Sequence, residues 1–247
     1  MRDIIGAVCY NIKVVKAFVR EEYIMEEKVF DGLRYLVRYP ENFDHTKKYT
    51  ALIFLHGAGT IGNDIEALKG NPFWKHVEKN ALPCVIFAPQ CDEGLVWFDL
   101  MGKLRQFALM IKQLAFVDSS RFYLTGNSMG GYGTWQLAMS LGTTFAAIIP
   151  VCGGGMYWNA SKLKTTPVWA FHGELDKTVF CEESEKMVNA VNAKGGCAKL
   201  TIYPENAHNS WDDTYGNPEV WQWLFSQKRT DAASAEVSEV FDGKRFG

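Results

Sequence analysis

The usual scaffolds of metal and disulfide chemistry are missing from this chain. Its six cysteines, Cys9, Cys84, Cys91, Cys152, Cys181 and Cys197, are scattered through 247 residues, and none forms a C-x-x-C pair. Several fall in apolar runs such as PCVIFAP, where a thiol behaves as a small hydrophobe. A chain of this length does not need a disulfide framework, so free structural thiols are expected. The five histidines show no H-E-x-x-H and no Cys/His ligand cluster. No metal and no cofactor are therefore expected. An excess of one charge is also absent. The net charge is −2, and a phosphate-binding face needs surplus Lys and Arg, which argues against a nucleic-acid partner. No apolar run reaches the ~20 residues of a membrane helix, so no membrane partner is expected. The opening MRDIIGAVCY has no long apolar stretch and no small-residue cleavage site. The expectation is a cytoplasmic protein, with secretion left open.

What is present is ordinary globular composition, 47% hydrophobic and 22% charged, in a chain long enough to bury a sizeable core. Apolar runs recur at 49–57, 83–90, 121–126, 145–154, 167–173 and 198–204. Several are apolar through consecutive positions, as in strands buried on both faces of a parallel sheet. Helical patterns lie between them at 103–116, 131–142, 181–196 and 217–228. In the first, Leu104, Phe107, Ala108, Ile111 and Leu114 form one stripe. The last begins Asn-Pro, a good cap and first-turn pair. Strand and helix in alternation predict an α/β fold with a mostly parallel sheet and helices on both faces. Residues 26–41 read as an N-terminal antiparallel hairpin turning at Asp31-Gly32. No linker divides the chain, so one domain over 1–247 is expected. Its core runs from about 26 to 228, after an extension at 1–25 and before a flexible tail from about 230. IKVVKAFV in that extension is a candidate outer strand, and Met25 a candidate internal start.

Gly126-Asn127-Ser128-Met129-Gly130 matches G-x-S-x-G between an apolar strand and a helix pattern. Such a turn holds the serine in a strained backbone with its Oγ exposed above the sheet. The glycines let strand and helix approach. A serine nucleophile needs a base, and the base needs an orienting acid. Asp176 and then His208 follow in order, each just past a successive strand. Glu174 is the rival acid, and Asp212 and Asp213 are weaker because they follow the histidine. His45 and His76 read as surface residues, His56 and His172 as structural ones. The Gly-rich loop in IFLHGAGTIGND follows a strand and can offer backbone N–H groups to an oxyanion. Ala58 and Met129, the residue after the serine, are the candidate donors.

Taken together, HGAGTIGND, APQC, GNSMGGYGTW, VCGGG, FHGELDKTV and NAHNSW resemble the α/β-hydrolases over roughly residues 26–228. The similarity is to small esterases of the phospholipase/carboxylesterase and feruloyl-esterase-like groups, often described as predicted peptidases. It implies a serine esterase with Ser128 as nucleophile, Asp176 as acid, His208 as base and Ala58 and Met129 as oxyanion donors. Asn127 departs from many relatives but leaves the triad intact.

Larger relatives insert a lid domain where this chain has only residues 153–166. An open site follows, suited to a soluble short-chain or aryl ester as the small-molecule partner. Aromatic residues in candidate rim loops include Trp97, Phe98, Tyr157, Trp158 and Trp211, and Trp97, Trp158 and Trp211 are the substrate-binding candidates. A serine peptidase of the same fold is one alternative. A non-catalytic binding protein is another, and it normally lacks a triad member.

Overall fold

In the computed structural model, which describes residues 13–20 and 23–230, the first elements are three antiparallel strands. They are β1 (Lys13–Arg20), β2 (Tyr23–Phe30) and β3 (Leu33–Arg38). The candidate outer strand is thus a strand. Asp31 and Gly32 join β2 to β3 with φ of 48° and 77°. That pair of positive φ values gives a two-residue turn the twist its flanking strands require.

The apolar runs then become β4 (Tyr49–Leu55), β5 (Val85–Pro89), β6 (Val117–Asn127), β7 (Ala147–Val151), β8 (Val168–Gly173) and β9 (Ala198–Tyr203). All nine strands form one sheet in the order β1-β2-β3-β5-β4-β6-β7-β8-β9. From β5 to β9 every neighbouring pair is parallel. This is the α/β-hydrolase architecture expected, with the hairpin added at one edge.

Helices cover both faces because successive strand residues point to opposite sides. Ala51, Ile53 and Leu55 of β4 join one buried cluster. It includes residues of α3 (Met101–Lys112), α4 (Met129–Leu141) and α5 (Glu182–Ala193). Leu52 and Phe54 join the other, with α1 (Ile65–Lys69), α2 (Phe73–Lys79), α6 (Trp211–Gly216) and α7 (Pro218–Ser226). The expected stripe of α3 is buried at Leu104, Phe107, Ala108 and Ile111, but the helix ends at Lys112, short of Leu114. Asn217 caps α7 by accepting from Glu219 N–H at 2.9 Å.

β4 pairs with β5 on one side and β6 on the other, so the chain reverses its direction of travel across the sheet there. A crevice opens at such a switch point, beyond the carboxyl ends of the strands. Among the described residues the cysteines Cys84, Cys91, Cys152, Cys181 and Cys197 are free. No helix among those residues is long and apolar enough to cross a membrane. The expected flexible tail, and Cys9, lie outside the described residues.

Candidate active site

Ser128 stands between β6 and α4 with φ 57° and ψ −120°. A positive φ is rare for a side chain other than glycine, and such strain concentrates at functional sites. The turn is possible because Gly126 and Gly130 carry no side chain. A Cβ on Gly130 would overlap the Leu55 carbonyl, and one on Gly126 the carbonyls of Gly130 and Leu55. The sequence G-x-S-x-G is therefore a packing requirement between β4, β6 and α4.

The two expected partners reach Ser128 from separate loops. His208 Nε2 lies 2.8 Å from Ser128 Oγ, and His208 Nδ1 lies 2.7 Å from Asp176 Oδ2. Asp176 follows β8 and is 3% exposed, whereas Glu174 points to solvent. The second carboxylate oxygen accepts from the N–H groups of Thr178 at 2.8 Å and Val179 at 3.0 Å. Burial alone raises the Asp176 pKa, but the hydrogen bonds from His208, Val179 and Thr178 outweigh it and hold the carboxyl below its usual range. An acceptor-only carboxylate beside Nδ1 puts the proton there and leaves Nε2 as the acceptor facing Ser128.

His172 braces Asp176 from behind. It is fully buried, with Nε2 at 3.3 Å from Asp176 Oδ2 and 2.9 Å from the Val179 carbonyl. Its Nδ1 meets Ser184 Oγ at 2.7 Å. His56 is likewise structural. Its Nε2 accepts from Cys91 N–H at 3.0 Å, Nδ1 lies 2.7 Å from the Gly57 carbonyl, and its own carbonyl takes the Trp97 indole N–H at 2.9 Å. Burial pushes its pKa down to about 4 against the opposing bond to Gly57, so it is neutral. These contacts hold the strand end from which Gly57 and Ala58 project.

A cavity of about 430 Å³ opens above Ser128. Ala58, Asn127, Ser128, His208 and Trp211 line it, together with residues the sequence reading passed over: Thr60, Asn71, Pro72, Phe73, Thr178 and Tyr215. Ala58 begins a short 3-10 turn. Met129 begins α4, where the first N–H groups have no intrahelical partner. No charged side chain lines the cavity. Asn71 Nδ2 donates to Thr60 Oγ1 at 2.9 Å, which gives it one polar corner. Phe73 stacks on Phe54 at 3.8 Å and lies edge-on to Tyr215 at 5.1 Å. Nothing local in the sequence marks Asn71, Pro72 and Phe73 as facing Ser128, because only the fold brings them there.

Three expectations need correction. Trp97 is fully buried, with its indole N–H spent on His56, and does not face the cavity. Trp158 is 68% exposed in a 3-10 turn at Tyr157–Leu163, edge-on to Tyr157, and also lies outside the cavity lining. Of the three tryptophans only Trp211 lines it, with its ring edge-on to His208 at 5.4 Å. His76 is not a surface residue. It is 7% exposed, and its Nε2 lies 2.9 Å from Asp212 Oδ1, which also binds Lys75 Nζ at 2.9 Å.

Known proteins with similar sequences and folds agree with this architecture. A probable feruloyl esterase C of Aspergillus terreus is 24% identical over 183 residues, covering 72% of this chain and 67% of that protein. The crystal structure of a thermostable esterase superposes with a TM-score of 0.72 at 30% identity, over 85% of this chain. This chain spans only 64% of the length of that esterase. Porphyromonas gingivalis dipeptidyl peptidase 4 shares the fold at 16% identity and a TM-score of 0.64, over 84% of this chain and 36% of its own. The match to the dienelactone hydrolase family extends over residues 99–238, more than half of the sequence and all of Ser128, Asp176 and His208. This chain belongs to the dienelactone hydrolase family of α/β-hydrolases.

Proposed function

We propose that this protein is a serine carboxylesterase acting on soluble, uncharged short-chain or aryl carboxylic esters through an acyl-enzyme. The observation that carries the reading is the unbroken relay Asp176–His208–Ser128, with contacts of 2.7 and 2.8 Å. In the first step Ser128 Oγ attacks the ester carbonyl carbon while its proton passes to His208 Nε2. The carbonyl π electrons move onto oxygen, and the N–H groups of Ala58 and Met129 receive that oxyanion. Collapse of the intermediate expels the alkoxide, which takes the proton from His208. Water, activated by the same histidine, then releases the acid and restores Ser128. Asp176 keeps the ring in its tautomer and stabilises the imidazolium.

The substrate class follows from the cavity. Its volume suits a small ligand. Its lining has no cation to pair with a substrate carboxylate and has aromatic walls at Phe73, Trp211 and Tyr215. The corner at Asn71 and Thr60 can bond a hydroxyl or ether oxygen on an aryl group. The feruloyl esterase relative favours the aryl half of this reading. The peptidase neighbour keeps a second reading open, cleavage of short peptides by the same relay. A paired assay separates them. Hydrolysis of p-nitrophenyl acetate and aryl-acid methyl esters, lost in Ser128→Ala, is expected. Cleavage of a chromogenic dipeptide without ester hydrolysis would favour the peptidase.

A further inference from the structure

Three ligand atoms of different chemistry converge beside Ser128. Cys152 Sγ, one carboxylate oxygen of Asp176 and one ring nitrogen of His208 all lie within 4.8 Å of one another. They follow β7, β8 and β9 in turn, so positions 152, 176 and 208 make no spacing motif, and the sequence reading anticipated no metal. Cys152 has a φ of 40°, a left-handed conformation a non-glycine residue rarely holds. It is fully buried, as is the Asp176 carboxylate, while His208 remains partly open to the cavity.

Thiolate, imidazole and carboxylate together are a donor set suited to zinc. On a tetrahedron with bonds of roughly 2.0–2.3 Å the ligand atoms stand about 3.3–3.6 Å apart. The largest separation among the three is at most 4.8 Å, and His208 Nδ1 stands 2.7 Å from Asp176 Oδ2, so the distances bracket that spacing. The fourth position is left for water.

We propose that Cys152, Asp176 and His208 bind one thiophilic divalent cation, with Zn²⁺ as its representative, and that the bound ion holds the enzyme off. The inhibitory half rests on the esterase reading above; the binding half does not. Capture breaks the Cys152 S–H bond, the proton leaves to solvent, and the thiolate pair ligates the metal. Asp176 ligates as a carboxylate and His208 through a ring lone pair. If the ion takes Nε2, that lone pair is used. If it takes Nδ1, the ring proton sits on Nε2. Either way His208 has nothing with which to accept the Ser128 proton. Mg²⁺, which prefers oxygen ligands, does not use the thiol and leaves the site active.

The test follows binding and rate separately. Zn²⁺ is titrated calorimetrically into the full chain, and initial rates with p-nitrophenyl acetate are taken over the same range. One tight Zn²⁺ per chain is expected, with inhibition tracking occupancy, reversed by EDTA and not reproduced by Mg²⁺. Cys152→Ser should weaken both binding and inhibition about tenfold or more, each measured against the variant's own metal-free rate. Cys152→Gly, which suits the positive φ, supplies the same comparison if the serine variant is unstable. Ser128→Ala should bind Zn²⁺ undiminished. If both cysteine variants bind and respond to Zn²⁺ as the wild type does, the ion sits elsewhere, for instance at exposed Cys197, and the proposal is overturned. Cys152-dependent binding without inhibition overturns the off-switch alone.

Discussion

The floor and the far wall of the cavity are built by different means. The floor is the turn at Ser128, where Gly126, Gly130 and the backbone of Leu55 pack so closely that no side chain fits. The wall is Asn71, Pro72 and Phe73 from the start of α2, facing Trp211 and Tyr215 of α6. Its two helices are clamped by Asp212, which binds Lys75 and His76 at once. Backbone packing gives the floor one permitted geometry. Side-chain contacts hold the wall, and they can change without moving the serine. Chemistry should therefore fail with the floor and selectivity with the wall.

The largest effect belongs to the relay above the floor. Asp176→Asn keeps the shape but offers His208 the wrong hydrogen-bond partner, and kcat/KM should fall up to ~10⁴-fold. Glu174→Gln, an exposed neighbour, should leave it unchanged. Ester kinetics on the two variants check this, and the reverse pattern would move the acid to Glu174. Gly130→Ala tests the floor itself. The added methyl collides with the Leu55 carbonyl, and backbone cannot yield as a side-chain tip does. A loss of about 3 kcal/mol is expected in urea unfolding, with activity lost in the same samples.

Changes to the wall should be gentler and selective. Trp211→Ala should lower kcat/KM for an aryl ester by about tenfold, equivalent to the ~1.4 kcal/mol of a lost aromatic contact. The effect on p-nitrophenyl acetate should be smaller. Trp158→Ala should change neither, since Trp158 stands outside the cavity. Equal losses in the two tryptophan variants would erase the distinction between wall and rim.

The smallest effect concerns the clamp. Burial raises the Asp212 pKa, but the bonds and charges of Lys75 and His76 outweigh it, so the folded value is lowered. A lowered carboxylate contributes stability above its unfolded pKa of ~3.9 and loses it as pH falls through the folded value. With the side chain 39% exposed, solvent screening keeps this below about 1 kcal/mol. Asp212→Asn should thus be slightly less stable than wild type at neutral pH, and the gap should close below pH ~4. Denaturant midpoints at the two pH values check the sign.

The same contrast explains what could be read from the sequence. The serine turn was legible because its demands are local: a strand, small residues and a helix within a few positions. Asp176 and His208 were legible because strand order puts their loops on the same edge of the sheet. His76 and Trp97 were misread. His76 pairs with a carboxylate 136 positions away, and Trp97 spends its indole on the backbone of His56, 41 positions away. Both look like ordinary polar or rim residues until the fold closes. The Asn71–Phe73 wall was missed for the same reason, since nothing near it in sequence marks it as facing Ser128. Cys152 was read as a buried thiol, which it is. Its neighbours come from the ends of two other strands.

The proposed ester hydrolysis stands or falls with Ser128 as its nucleophile. A fluorophosphonate reports this directly, because it reacts covalently with an activated serine and the adduct can be mapped by peptide mass spectrometry. Stoichiometric labelling of Ser128 is expected, with loss of p-nitrophenyl acetate hydrolysis in proportion to label and no labelling in Asp176→Asn on the same timescale. An active protein that takes no label at Ser128, or takes it at another residue while losing activity, would contradict it.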